Sequence, residues 1–148
     1  MAAVLIDTNI LVYAHDPSEP EKAARAIEVM DYVQSTQQGR LSVQCLAEFF
    51  VVATRGKRPL LTEQDASRQL DLLSRSFRVL DVTPMIVLEA SRGVRKHRFS
   101  YWDAKIWATA RLNQVPVVLS EHFQDAASFE GVRFANPFAG NVAISDLV

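Results

Sequence analysis

Three acidic residues far apart in the chain, Asp7, Glu48 and Asp103, have surroundings that suggest chemistry. Asp7 interrupts "VLIDTNILVYAHD", where the apolar run Val4-Leu5-Ile6 halts at Asp7-Thr8-Asn9 and resumes at Ile10. Glu48 lies in "CLAEFFVVA", which is otherwise apolar for almost two helical turns. Asp103 opens "SYWDAKIWATA", three residues after Ser100. A fourth acidic region, "LSEHFQD", offers Glu121 and Asp125 within about one turn. Each residue alone has an ordinary explanation. Asp7 fits a capping turn between a strand and a helix, with Thr8 and Asn9 as rival caps. Glu48 fits a solvent-facing helix position. Asp103 suits a helix first turn, where a Ser100 cap and the helix dipole favour an acid. As a set they say more. Two like charges about 4 Å apart repel by about 4 kcal/mol at an effective dielectric near 20. Converging carboxylates therefore need protons or a cation to neutralise them. A hard divalent ion such as Mg²⁺ does this best, because it takes oxygen ligands, keeps several waters and binds through one or two carboxylates plus substrate phosphate. Cys45 and the three histidines lack zinc-ligand spacing.

The elements that must position these acids follow from the periodicity of the chain. Ala3 to Ile6 reads as a short buried strand, and the residues after Asp7 as a short helix. "DPSEPEK" is a turn. Ser18 and Glu21 have capping-box spacing for a helix from Pro20 to Gln37, with Gly39 as its stop. Arg40 to Val43 is a second strand. A helix follows, with Leu46, Phe49, Phe50 and Ala53 on one apolar stripe. Thr62 caps a third helix that turns Leu70, Leu73 and Phe77 inward. The strand "FRVLDV" precedes a helix with Pro84 in its first turn. After the helix that carries Asp103 come the buried strand "VPVVLS" and a last edge strand, "VRFANPF". Strands and helices alternate, which predicts an α/β domain with a mainly parallel sheet and helices on both faces. Sites in such sheets form outside the carboxyl ends of the strands. Asp7 and the pair Ser120-Glu121 both fall at strand ends, so they are expected at the same edge.

With 148 residues the chain is expected to be one domain, 1–148. Its 49% hydrophobic and 22% charged residues are those of an ordinary globular protein. A net charge of −1 excludes a strongly basic nucleic-acid binder, so any such contact must use local patches. A single cysteine excludes an internal disulfide and fits a reducing compartment. No stretch approaches the roughly 20 apolar residues of a membrane span, and no basic residue precedes the first apolar run. A cytosolic protein without membrane contact is expected.

Taken in order, "LIDTNIL", "LAEFF", "SYWDAKIWATA" and "VVLSEHFQD…GVRFANPF" resemble PIN-domain proteins, specifically the VapC-like toxins of bacterial toxin–antitoxin pairs. The resemblance covers nearly the whole chain. It implies a parallel five-stranded sheet in a three-layer α/β/α domain, and a Mg²⁺- or Mn²⁺-dependent ribonuclease acting on single-stranded or loop RNA. It further implies a homodimer, and a small VapB-like antitoxin that could complete a heterotetramer or larger complex. Carried over by motif, Asp7, Glu48 and Asp103 are the acidic site, with Thr8, Asn9 and Ser120 ordering it. One departure stands out. Where such proteins often read Ser-Glu-Asp, this chain reads Ser120-Glu121-His122, so the fourth acid falls to Asp125 or Glu121, or is absent.

On this reading Asp7 and Asp103 ligate the cation directly, and Glu48 ligates through water or orients the attacking water. RNA approaching an acidic pocket needs positive charge nearby. Arg55, Lys57 and Arg58 follow the Glu48 helix, while Arg92, Arg95, Lys96 and Arg98 precede Asp103. Solvated helix ends are their ordinary fate. Tyr101 and Trp102 flank Asp103 and could stack on a base, although Trp102 is expected in the core. Two rival readings remain. A non-catalytic PIN-like module that binds RNA or protein would explain His122. An aspartyl-phosphate phosphatase would want an acid where Asn9 stands, and a receiver domain would want a Lys that "LSEHFQ" lacks.

Overall fold

The computed structural model describes residues 2–123, 126–140 and 142–148. The first strand, β1 (Val4–Ile6), is buried at every position, as expected of an inner strand of a parallel sheet. Helices α1 (Thr8–Tyr13) and α2 (Pro20–Thr36) lead to β2 (Gly39–Ser42). Then come α3 (Val43–Thr54), α4 (Glu63–Ser76), β3 (Arg78–Leu80), α5 (Pro84–His97) and α6 (Tyr101–Leu112). The chain continues with β4 (Val117–Leu119), β5 (Ser128–Phe129), β6 (Val132–Ala135) and a short α7 (Ile144–Leu147).

The sheet order is β3-β2-β1-β4-β6-β5. Every neighbouring pair is parallel except β5 with β6. The α/β architecture with a mainly parallel sheet is therefore as the alternation predicts, with six strands in place of five. The extra strand is β5, joined to β6 by a two-residue turn at Glu130-Gly131. Both turn residues have positive φ, 49° and 87°, as a type I′ hairpin turn requires. The core joins β1, Leu41, the inner faces of α3 and α6 (Phe49, Ile106, Trp107) and the β4–β6 pair (Val118, Leu119, Phe134).

Caps set most helix boundaries. Ser42, Thr62, Thr83 and Ser100 each accept a hydrogen bond from a backbone N–H of the following turn. Helix α2 spans nearly the expected residues, but both of its expected caps differ. It starts from Glu19 without a side-chain cap, because both the amide and the hydroxyl of Ser18 donate to Asp16. It ends on Gln37 in the left-handed region, at φ 59°, rather than on Gly39. Gly39 instead begins β2, where a Cβ would lie 2.6 Å from a ring carbon of Phe77. Trp102 also departs from expectation, being 59% exposed rather than in the core. Among the described residues no helix is long and apolar enough to cross a membrane.

Candidate active site

β1 and β4 run side by side with Ile6 opposite Leu119, and each strand ends at the next residue, Asp7 and Ser120. The Asp7 N–H donates to the Leu119 carbonyl at 2.9 Å, and the Ser120 N–H to the Ala135 carbonyl at 3.0 Å. The carboxyl ends of β1, β4 and β6 are thus pinned level. β1 is also where the strand order reverses, the place where open parallel sheets leave a crevice.

Asp7 fills three roles at that edge. It is the N-cap of α1, and its Oδ1 accepts from the Thr8 N–H at 2.7 Å. Its Oδ2 accepts from Ser120 Oγ at 2.7 Å and from Asn9 Nδ2 at 3.5 Å. Asn9 Nδ2 also reaches Ser120 Oγ, at 3.4 Å. The third role is electrostatic. Burial pushes the Asp7 carboxyl above the ordinary range. Ser120, Thr8 and His122 pull it back in part, and Asp103 adds to the rise.

Glu48 is half-buried on α3 with a donor on each oxygen. Thr8 Oγ1 donates to its Oε2 and Gln44 Nε2 to its Oε1, both at 2.9 Å. Thr8 therefore couples two acids, its N–H to Asp7 and its hydroxyl to Glu48. Gln44 Nε2 also donates to the Trp102 carbonyl at 3.2 Å, which leaves Gln44 Oε1 buried without a hydrogen-bond partner. An unsatisfied buried acceptor costs about 1–3 kcal/mol, a cost the amide bears to present its donor to Glu48 and α6 together.

Asp103 sits in the first turn of α6, its N–H donating to Ser100 Oγ at 3.1 Å. His122 stands between it and Asp7. Its Nδ1 lies 3.8 Å from Asp103 Oδ1 and 4.0 Å from Asp7 Oδ2, and its N–H donates to Ser120 Oγ at 3.1 Å. The sequence expectations for Asp7, Glu48, Asp103, Thr8, Asn9 and Ser120 all fall at this one edge of the sheet.

The remaining candidates lie elsewhere. Glu121 is drawn aside. Its oxygens accept from Tyr13 Oη at 2.8 Å and from Lys22 Nζ at 2.7 Å. Burial alone would raise its carboxyl, but Lys22 and Tyr13 outweigh that and hold it below its ordinary value. Asp125 lies outside the described residues. Arg92 pairs with Glu89 and Glu130, and Lys96 approaches Glu130 at 3.8 Å. Arg55, Lys57, Arg58, Arg95 and Arg98 are exposed. Burial pushes the Cys45 thiol up to about 12, which removes thiolate chemistry from the edge.

Among the described residues no three acidic, histidine or cysteine side chains form a group able to hold a metal ion. The donor set instead offers two carboxylates, Asp7 and Asp103, that flank one point now taken by an imidazole nitrogen, with hydroxyls beside them. Such a set fits a hard cation held by one or two carboxylates, with water and phosphate oxygens as its other ligands. Sequence reasoning missed Gln44, Tyr13 and Lys22. Gln44 was findable: it stands four residues before Glu48, on the same helix face. Tyr13 and Lys22 meet Glu121 only through the tertiary fold.

Comparison with known proteins agrees with this fold. The model of the PIN domain family matches residues 4–125. A toxin–antitoxin complex from Klebsiella pneumoniae superposes with a TM-score of 0.67 at 18% identity, over 92% of this chain and 98% of that one. DNA-bound VapBC from Salmonella typhimurium gives 0.67 at 16%, over 93% and 99%. A sarcin–ricin-loop-cleaving VapC toxin of Mycobacterium tuberculosis gives 0.62 at 16%, over 78% and 87%. At these identities the likeness is one of fold. No curated protein matches the sequence.

Proposed function

The chain belongs to the PIN-domain family, and from that premise we propose that it is a divalent-cation-dependent endoribonuclease, the toxin of a toxin–antitoxin pair. The observation that carries the reading is the buried Asp7 carboxylate at the β1–β4 crevice, with Asp103 and Glu48 brought to the same edge. Neutral donors hold Asp7 in place there, and nothing in its immediate contacts is a permanent cation. In this reading Asp7 and Asp103 would hold Mg²⁺ or Mn²⁺. Such an ion, when bound, supplies Lewis-acid polarisation of a scissile phosphate and lowers the pKa of an attacking water. Glu48, fixed by Thr8 and Gln44, orients that water and accepts its proton. Ser120 and Asn9 hold Asp7 in one rotamer. The exposed Arg55, Arg95 and Arg98 draw the RNA backbone toward an edge that would otherwise repel it.

The proposed partners are a second copy of the chain and a small antitoxin. Several of the structural neighbours are toxin–antitoxin complexes. The exposed apolar residues Met85 and Leu88 of α5 suit a homodimer contact, and a small antitoxin is the expected inhibitor. Purified protein incubated with single-stranded RNA should cleave it only with Mg²⁺ or Mn²⁺ present, and leave 5′-phosphate ends. RNA that survives every divalent ion intact would refute the assignment.

One observation favours a second reading, a non-catalytic PIN-like module. His122 holds the point between Asp7 and Asp103 that a cation would take. Calorimetry separates the two. Mn²⁺ binding lost on Asp103→Asn supports the nuclease, and no binding of Mn²⁺ or Mg²⁺ supports the module.

A further inference from the structure

Beside the acids lies a cleft of about 510 Å³, lined by Ala47, Glu48, Val51, Val52, Arg55 and Trp102. Its size is within the roughly 300–1,000 Å³ usual for pockets that take small organic groups. Two features set it apart from the protein's other surface hollows. One wall is Glu48 itself, so any occupant lies against the catalytic edge. Another is an indole that is 59% exposed, a large apolar ring left in water. Val51, 58% exposed, extends the same apolar wall.

We infer that this cleft is a subsite for one unpaired nucleobase of the RNA strand, stacked on Trp102 next to the phosphate that the acids address. The inference rests on the nuclease reading above and adds to it a binding residue and a substrate feature. Three observations favour a base over an apolar protein side chain. First, Arg55 stands on the wall and, among the described residues, makes no ion pair, so it is available to the phosphate that accompanies a base. Second, the ring is already held. Lys105 Nζ lies 4.0 Å from the Trp102 ring centroid and 5.3 Å from that of Tyr101. A ring fixed in this way loses less freedom on stacking, and a second cation suits an anionic strand. Third, Gln44 Nε2 donates to both Glu48 Oε1 and the Trp102 carbonyl, so acid and stacking platform are fixed to each other. A base placed on Trp102 is thereby placed relative to Glu48. Stacking on an aromatic face is tolerant of base identity but requires the base to be unpaired. The subsite therefore selects single-stranded or splayed nucleotides over duplex.

The test uses the full-length Asp7→Asn protein, which should bind RNA without cutting it, and a short fluorescent single-stranded oligoribonucleotide of mixed sequence. Adding Trp102→Ala should weaken binding roughly 5- to 150-fold, the range for loss of one stacked base, and Trp102→Phe should restore most of it. Tryptophan emission should be quenched by RNA in the parent, and Trp102→Ala should abolish that change, because the remaining Trp107 is fully buried. Replacing single nucleotides by abasic ones should weaken binding at one position, and Trp102→Ala should erase that preference. If Trp102→Ala leaves affinity within twofold of the parent, the subsite is overturned while the nuclease reading stands. If that variant keeps RNA affinity but no longer co-purifies with a co-expressed small partner, the cleft is a protein-docking site and the subsite is overturned. If the parent binds no RNA, both readings fall.

Discussion

Two clusters of carboxylates sit on opposite terms with their surroundings. Around Glu130 and Glu89, every acid faces a cation. Glu130 accepts from His97 and Arg92 and lies 3.8 Å from Lys96, while Glu89 pairs with Arg92 and Arg111. His97 and Arg92 hold the Glu130 carboxyl down, to about 2. At the β1–β4 edge, Asp7 receives hydroxyl, amide and backbone donors, and its carboxyl is pushed up by burial. Both clusters are well hydrogen-bonded, but only one is neutralised. A structural ion network is complete in itself, whereas the strand-end cluster faces no arginine or lysine among the described residues and is balanced only by a proton, by His122 or by an added cation. That is the difference between an acid that holds the fold and an acid that is available for chemistry.

The contrast can be broken most severely at Asp7. Asp7→Asn should reduce RNA cleavage to background. The same change should leave the melting temperature of the chelator-treated protein equal to or above wild type, because it removes a charge that burial disfavours. Adding Mn²⁺ should raise the melting temperature of wild type and not of the variant. Calorimetric scans with and without the ion check this, and a variant that melts well below wild type in chelator would erase the distinction between the clusters. Next in size is Ser120→Ala, which removes the 2.7 Å donor to Asp7 and should weaken Mn²⁺ binding about 10- to 100-fold by titration calorimetry.

The neutralised cluster should respond in stability instead. Glu130→Gln should cost on the order of 1 kcal/mol at neutral pH, with cleavage unchanged. The folded value of Glu130 lies below its ordinary 4.5, so its contribution is present above that pH and is lost as pH falls toward about 2. Denaturant curves of variant and wild type should converge across that window. The smallest effect sharpens the same contrast. Arg95→Ala should lower the log–log salt slope of RNA binding by about 1, whereas Arg92→Ala, already paired with two acids, should leave the slope unchanged.

Much of this was legible because the chain punctuates itself. Asp7 and Ser120 each follow a three-residue apolar run, and in a parallel sheet the residue after such a run lies at the carboxyl edge. What escaped did so for physical reasons. β5 is only two residues long, and its signal was the Gly131 turn rather than any apolar run. Trp102 is an aromatic in an apolar-rich helix, so composition put it inside. Yet it is five residues from the buried Trp107, about 140° around the helix, and Ala104, Ala108 and Trp107 already fill the inner stripe. The pairing of Glu121 with Lys22 spans 99 residues, a separation that no local pattern encodes.

The hydrogen bond from Ser120 to Asp7 also spans the chain, linking residues 113 apart. β1 sits in the middle of the sheet, yet one of its flanks stays open until residues 117–119 have been made. The acids at positions 7, 48 and 103 all precede β4 in the chain, but the crevice beside Asp7 has no second wall before β4 arrives. Closure of this edge therefore waits on β4, and in the proposed reading a chain whose β4 has not docked has no organised site.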